Sequence, residues 1–386
     1  MLRIKIPYLI TIAVSILLLI IGNKIAVNGM ISFQNPSYEV VRAKIERVIE
    51  HIDQNFDFLD DYNEDEHYDD LSYMMPGKKI IFEAKVTTGN RKGQLITAEQ
   101  SFSPMLIDNS KEVAKGDRVL LVNNEVGWFF GGYLRINTLI ILGLVFVFFL
   151  ILFGGKKGVN TIISLSFTCI AIFAVFVPSI LSGKNIYLMS VIICIFIIMM
   201  VNLIVIGYNK KSLASIAGCT GGVIISGIIT LIMDKALYLT GLIDEHSRYL
   251  INLPGDLQLN LKAIVFAGII IGAMGAVMDV SISISSSLWE IKEKAKTISL
   301  KELFTSGITI GRDIMGSMAD TLILAYIGSS LTVVLLLSIY SNSLLGIFNS
   351  EMIAVEILQA MAGSLGILFA MPLTALFSSI IFIREK

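Results

Sequence analysis

The sequence predicts an α-helical membrane bundle of about eight transmembrane helices, with a small extracytoplasmic β-barrel or β-sandwich domain inserted after the first helix. Three observations carry this reading. Of 386 residues, 55% are hydrophobic and only 16% charged, against about 25% charged in an ordinary soluble domain. Apolar runs of about 20 residues recur, the length needed to cross a hydrocarbon core of roughly 30 Å. Beneath a net charge of -1, residues 28–134 carry 11 Lys/Arg and 18 Asp/Glu while the remainder carries 19 and 13. A soluble globular protein is excluded, and the acidic balance of the polar block excludes nucleic acid as a partner.

The apolar runs cover 7–26, 136–153, 159–182, 186–207, 212–233, 261–280, 314–339 and 354–383. Domains follow: an N-terminal transmembrane anchor over 1–27, an extracytoplasmic mainly-β domain over 28–134, and a seven-helix transmembrane bundle over 135–386. Arg3 and Lys5 precede the first run, and no small-x-small cleavage site follows Ile21-Gly22-Asn23-Lys24, so the run reads as an uncleaved anchor. With the N-terminus inside, Arg3, Lys5, Lys156, Lys157, Lys210, Lys211, Lys292, Lys294, Lys296, Lys301, Arg384 and Lys386 gather on one side. The other side holds only Lys24, Arg135, Lys184, Lys235, Arg248 and Lys262 near the apolar runs. The positive-inside rule then places the protein in the cell membrane with both termini cytoplasmic and residues 28–134 outside. Basic turns at Lys156-Lys157-Gly158 and Lys210-Lys211-Ser212 each open a helix, a spacing compatible with an internal repeat.

Within the polar block, Tyr38–Ile52, Lys78–Thr88, Leu95–Ala98 and Arg118–Val122 alternate as strands, with turns at 89–93 and 115–117. Between the first two lies a run, 57–70, in which eight of fourteen residues are acidic. Asp61, Asn63 and Asp65 alternate there as calcium-loop ligands do, but Glu66 replaces the required glycine and Ser72 the bidentate Glu. It reads first as a solvated loop and only second as a metal site.

The residues that remain for chemistry are few. Cys169, Cys194 and Cys219 lie in apolar runs, so no disulfide framework or thiolate metal site forms. His51, His67 and His246 fall in polar segments, which removes imidazole from the membrane, and no P-loop occurs. No catalytic residue and no cofactor is assigned.

Polar stripes are informative instead, because an ionisable group at membrane depth normally faces a bundle interior or a water path. Asp313, Gly316, Ser317 and Asp320 share one helix face; a capping box at Ser299 and Glu302 predicts a short interfacial helix just before them. Glu356, Gln359, Gly363, Gly366, Ala370 and Thr374 form a second stripe, in a helix expected to be interrupted at Pro372. Gly268, Gly272 and Gly275 lead to Asp279 and a serine run at 281–287, while Gly218, Gly221, Gly222 and Gly227 form a packing face.

The strings GAVMDVSISISSS (275–287), SGITIGRDIMGSMADTLILAYIGSSL (306–331) and FNSEMIAVEILQAMAGSLGILFAMPLTA (348–375) resemble the signature blocks of the YibE/F family of bacterial multispanning membrane proteins. The KKG turn at 156–158 and ITAEQ at 96–100 extend the resemblance over most of the chain. It implies an integral membrane architecture without an assigned biochemical activity, and the family pattern more often carries Asn at the position of Asp320.

Two function classes follow. In a transporter or channel, Asp279, Asp313, Asp320 and Glu356 are ion or proton sites, and Ser317 and Gln359 line the path. In an accessory or sensing protein, the bundle anchors in the lipid bilayer and the outer domain binds an envelope protein or ligand. The surviving catalytic alternative is an aspartyl dyad of Asp279 with Asp313 or Asp320.

Overall fold

The computed structural model describes residues 6–29, 38–56, 75–102, 111–124, 126–251, 258–295, 297–340 and 343–383. The metal candidates Asp61, Asn63 and Asp65 lie outside them. The chain divides into two compact units, one of residues 32–148, the other of 1–31 with 149–386.

The first unit is a five-stranded closed barrel: β1 (Glu39–Phe56), β2 (Met75–Val86), β3 (Leu95–Phe102), β4 (Arg118–Asn124) and β5 (Gly127–Tyr133), ordered β1-β2-β3-β5-β4. Alternation fills it. Val41, Ala43 and Ile45 from β1, Ile80, Phe82 and Ala84 from β2, Ile96 and Ala98 from β3, and Val119 and Leu121 from β4 form one buried core. Closure comes from an antiparallel β1–β4 pair and a parallel contact of β3 with β5 at Glu99 and Phe129. Gln100, buried among these side chains, accepts the Val113 N–H (3.0 Å) and donates to the Lys111 carbonyl (3.2 Å), which meets its polar requirement inside the barrel. The alternation reads β1 to β4 correctly and misses β5, where Trp-Phe-Phe-Gly-Gly-Tyr has no polar face to alternate.

The remaining helices are α1 (Ile6–Val27), α2 (Ile136–Ile170), α3 (Val177–Leu181), α4 (Ile186–Val205), α5 (Lys210–Ala236), α6 (Glu245–Ile251), α7 (Leu261–Lys294), α8 (Leu300–Ser329), α9 (Leu331–Tyr340), α10 (Leu344–Asn349) and α11 (Glu351–Ile383). Among the described residues six helices are long and apolar enough to cross a membrane, or seven if the bent pair α8–α9 is one span. The longest stretch, Ile136–Leu181, is broken at Gly155, whose φ of 53° and ψ of -128° are not helical. A Cβ at Gly158 would overlap the Leu150 carbonyl, so the backbone folds back there. This break separates the two runs, 136–153 and 159–182, expected from the sequence.

Between α2 and α3 a π-helical turn spans Ala171–Phe176. Pro178 has no N–H to give the carbonyl four residues back, that of Ala174; the Asn23 side chain of α1 donates to it instead. Asn160 of α2 accepts the Tyr8 hydroxyl (3.0 Å) and donates to the Ile204 carbonyl (3.0 Å) at the end of α4. Two asparagines thus tie α1 into the bundle. Its Leu19 and Ala26 join the main core.

Three expectations change. The capping box exists: Ser299 Oγ accepts the Glu302 N–H (3.2 Å), and Glu302 Oε2 accepts the Ser299 N–H (2.8 Å). It opens no short interfacial helix, however, but the unbroken α8, because no proline follows and Gly307 and Gly311 let the helix lie directly on Ala375 and Met371 of α11. The span expected over 314–339 bends instead by 54° after Ser329, where the hydroxyls of Ser329 and Ser330 both donate to the Tyr326 carbonyl (2.9 and 2.8 Å) and compete with the backbone ladder. Pro372 does not interrupt α11, which continues to Ile383; packed neighbours hold such a helix together across the missing bond.

Candidate functional site

α11 is the central post, packed by α5, α7 and α8. Its polar stripe is a closed seam. Gly218 of α5 meets Thr374, Gly222 meets Ala370 and the Gly366 carbonyl, and Gly363 meets Leu322 of α8 and Ala273 of α7. Thr374 Oγ1 donates to Ser281 Oγ of α7 at 3.2 Å in full burial. Small residues permit this approach, as the glycine spacing on α5 predicts. Gly363, Gly366, Ala370 and Thr374 are therefore packing positions.

The N-terminal end of the same stripe differs. Glu356 is half-buried, and its Oε2 is enclosed with no hydrogen-bond partner among the described residues. One turn on, Gln359 approaches Tyr326 of α8 beside Gly272 of α7: a Cβ on Gly272 would stand 2.6 Å from the Tyr326 hydroxyl and 3.6 Å from Gln359 Nε2. Three helices meet at a glycine that leaves room for two polar groups. Tyr326 was missed in the sequence; its signal was a lone hydroxyl-bearing ring in the apolar stretch LILAYIG.

α7 and α8 each carry one exposed polar face. On α7, Gly268, Gly272, Gly275, Asp279 and Ser283 are exposed at spacings of three and four, with Tyr326 and Gln359 packed against the face at Gly272, while Ala273, Val277, Ser281, Ile284 and Leu288 on the reverse are buried. On α8, Thr305, Thr309, Asp313, Gly316, Ser317 and Asp320 are exposed, opposite the buried Leu303, Gly307, Gly311 and Leu322. No atom lies within 4 Å of where a Cβ would stand at Gly268, Gly275 or Gly316. Ser317 Oγ donates to the Ile314 carbonyl (3.0 Å), and its own carbonyl accepts the Thr321 hydroxyl (2.7 Å).

Asp313 and Asp320 are seven residues apart, about 10 Å along a helix, so they stack along one face without touching. No group of three His, Cys, Asp or Glu among the described residues is placed to hold a metal ion. The carboxylates are distributed along two faces, with Glu356 apart in the enclosed position.

No curated protein and no solved structure matches the chain. The model of the YibE/F-like protein family matches residues 142–384, well over half of the chain and every helix that carries these polar faces, and the protein belongs to that family.

Proposed function

We propose that the protein is a multi-pass cell-membrane protein that moves a small ion or polar solute along the open faces of α7 and α8. Family membership and the long apolar helices support the multi-pass reading. The Lys/Arg distribution supports cytoplasmic termini and an extracytoplasmic barrel.

The observation that carries transport is the exposure of those faces. An ionised Asp in contact with hydrocarbon costs at least about 2.5 kcal/mol at the bilayer centre, and Asp279, Asp313 and Asp320 are each exposed at the bundle surface. Water along these faces removes the cost. The glycines between the carboxylates leave a side-chain-free track, and Ser317, Thr309 and Ser283 add hydroxyls. In this reading the three aspartates attract a cation or relay a proton, and Glu356, Gln359 and Tyr326 form a more enclosed station.

The test is flux in liposomes holding the purified protein, followed with a pH-sensitive dye and with monovalent-cation gradients. Asp279→Asn and Asp313→Asn are expected to insert normally and to reduce flux more than tenfold. Wild-type flux in both variants removes these residues from the mechanism.

A second reading, in which the protein is an accessory anchor and the barrel binds an envelope ligand, is supported by the closed five-stranded barrel, since small barrels of this kind bind oligosaccharides on their β2–β3 face. It predicts no flux and retention of an envelope partner by the full-length protein.

A further inference from the structure

We infer that the barrel carries a site for the phosphate of an anionic phospholipid headgroup, built from Lys44, Lys85, Lys92 and Arg118. The inference rests on the multi-pass reading, not on transport.

Strand register makes the site. Lys44 of β1 pairs with Lys85 of β2 on one side and with Arg118 of β4 on the other, so three exposed cations stand in a row across three strands. Directly opposed side chains on neighbouring strands have Cβ atoms about 5 Å apart, and like charges there repel. Five other barrel cations have an acid: Arg47 with Glu83 (2.8 Å), Lys78 with Glu112 (2.7 Å), Arg91 with Glu39 (2.7 Å), Lys111 with Asp117 (3.6 Å), and Lys79 with Glu99, while among the described residues Arg42 and Lys115 stand singly outside the row. Lys44, Lys85, Lys92 and Arg118 have no ion pair among the described residues.

Lys44, Lys85 and Lys92 also line a pocket of about 250 Å³, together with Thr87 and Gly93 of the β2–β3 turn. Glu46, the extra residue of a β1 bulge between Ile45 and Arg47, is the one carboxylate in its wall. Three cations against one anion leave an excess of two positive charges in a concave site.

Position selects the ligand. The Arg118 carbonyl accepts the Leu134 N–H (2.9 Å), and the apolar α2 starts two residues later at Ile136. The row therefore sits at the edge of the barrel from which a helix suited to a bilayer departs, with Lys115 and Arg135 exposed nearby in sequence. A phosphodiester at the membrane surface is the anion held at that level; free inorganic phosphate shares its chemistry without being fixed there.

The test is hydrogen exchange on the full-length protein in nanodiscs of phosphatidylcholine, with and without phosphatidylglycerol. Phosphatidylglycerol is expected to slow exchange in residues 86–94. At about fivefold per cation at an anionic surface, the triple variant Lys44→Gln, Lys85→Gln, Lys92→Gln should need about a hundredfold more phosphatidylglycerol for the same protection, while Lys79→Gln leaves the requirement unchanged. Protection equal in pure phosphatidylcholine, or undiminished in the triple variant, overturns the inference. The same protection from inorganic phosphate over phosphatidylcholine also overturns it, by assigning the site to free anion. Failure to enter nanodiscs would overturn the multi-pass reading as well; entry without phosphatidylglycerol-dependent protection overturns this inference alone.

Discussion

Glycine has two opposite meanings in this chain, and single substitutions separate them. A Cβ at Gly222 would stand 2.7 Å from Ala370 Cβ and 2.8 Å from the Gly366 carbonyl, inside the α5–α11 seam. Gly222→Ala is expected to destabilise the bundle by about 1–3 kcal/mol through overpacking, read as a lower thermal unfolding midpoint in detergent. Gly275 meets nothing within 4 Å, so Gly275→Ala is expected to be neutral or to stabilise by up to about 1 kcal/mol through helix propensity. Equal losses in the two variants would contradict the division into sealed and open faces. Spacing in the sequence finds both glycine rows, because a period of three to four is all a face requires. Which row is covered depends on neighbours distant in the chain, so the stripe of α11 and the stripe of α7 look alike until α5 and α8 are in place.

Elements depend on a small number of polar ties. Glu351, at the start of α11, accepts the N–H of Thr240 (2.6 Å) and of Gly241 (2.6 Å) and the Thr240 hydroxyl (2.8 Å). Gly241 sits at φ +86°, where its missing Cβ also avoids Leu261. One carboxylate thereby fixes the turn after α5 against the central helix. Glu351→Ala is expected to cost about 1–3 kcal/mol, the range for leaving such groups unmatched, and to speed amide exchange at Thr240 and Gly241; unchanged exchange would refute the clamp. In the barrel, hydrogen bonds from Arg47 hold the Glu83 carboxyl below its ordinary range, and those from Lys78 do the same for Glu112. A depressed folded-state pKa contributes stability above the ordinary carboxylate range and loses it as pH falls through that range to the depressed value. Acid should therefore weaken the barrel, followed by Trp128 fluorescence after replacement of Trp289, and Glu83→Gln should flatten the response; a barrel equally stable on both sides of that range would contradict it. Strand alternation made β1 to β4 legible. The cation row was not, since Lys44, Lys85 and Arg118 are far apart in sequence and meet only through register.

At the scale of the whole molecule, composition, run length and strand alternation were enough for a small barrel or sandwich after a first helix, then a set of long apolar helices, and the structure closes the former as a barrel. The resemblance in the blocks at 275–287, 306–331 and 348–375 agrees with the family match over 142–384. Sequence reading also collected Asp279, Asp313, Ser317, Asp320, Glu356 and Gln359, but as residues of stripes. Burial divides them, placing the first four on open faces and Glu356 and Gln359 near the packed centre with Tyr326. That division is long-range packing, which no local spacing encodes. Under the transport proposal, its functional consequence is that the open faces are wet.

The most direct measurement is cysteine accessibility. With the exposed Cys169 replaced by Ser and the buried Cys194 and Cys219 retained, Gly275→Cys and Gly316→Cys are treated in membranes with a charged, impermeant thiol reagent, beside Leu142→Cys on the exposed apolar surface of α2. Water along α7 and α8 predicts rapid labelling of positions 275 and 316 and none at 142. If 275 and 316 are as unreactive as 142, the polar faces are covered by lipid or protein, and the proposed path does not exist.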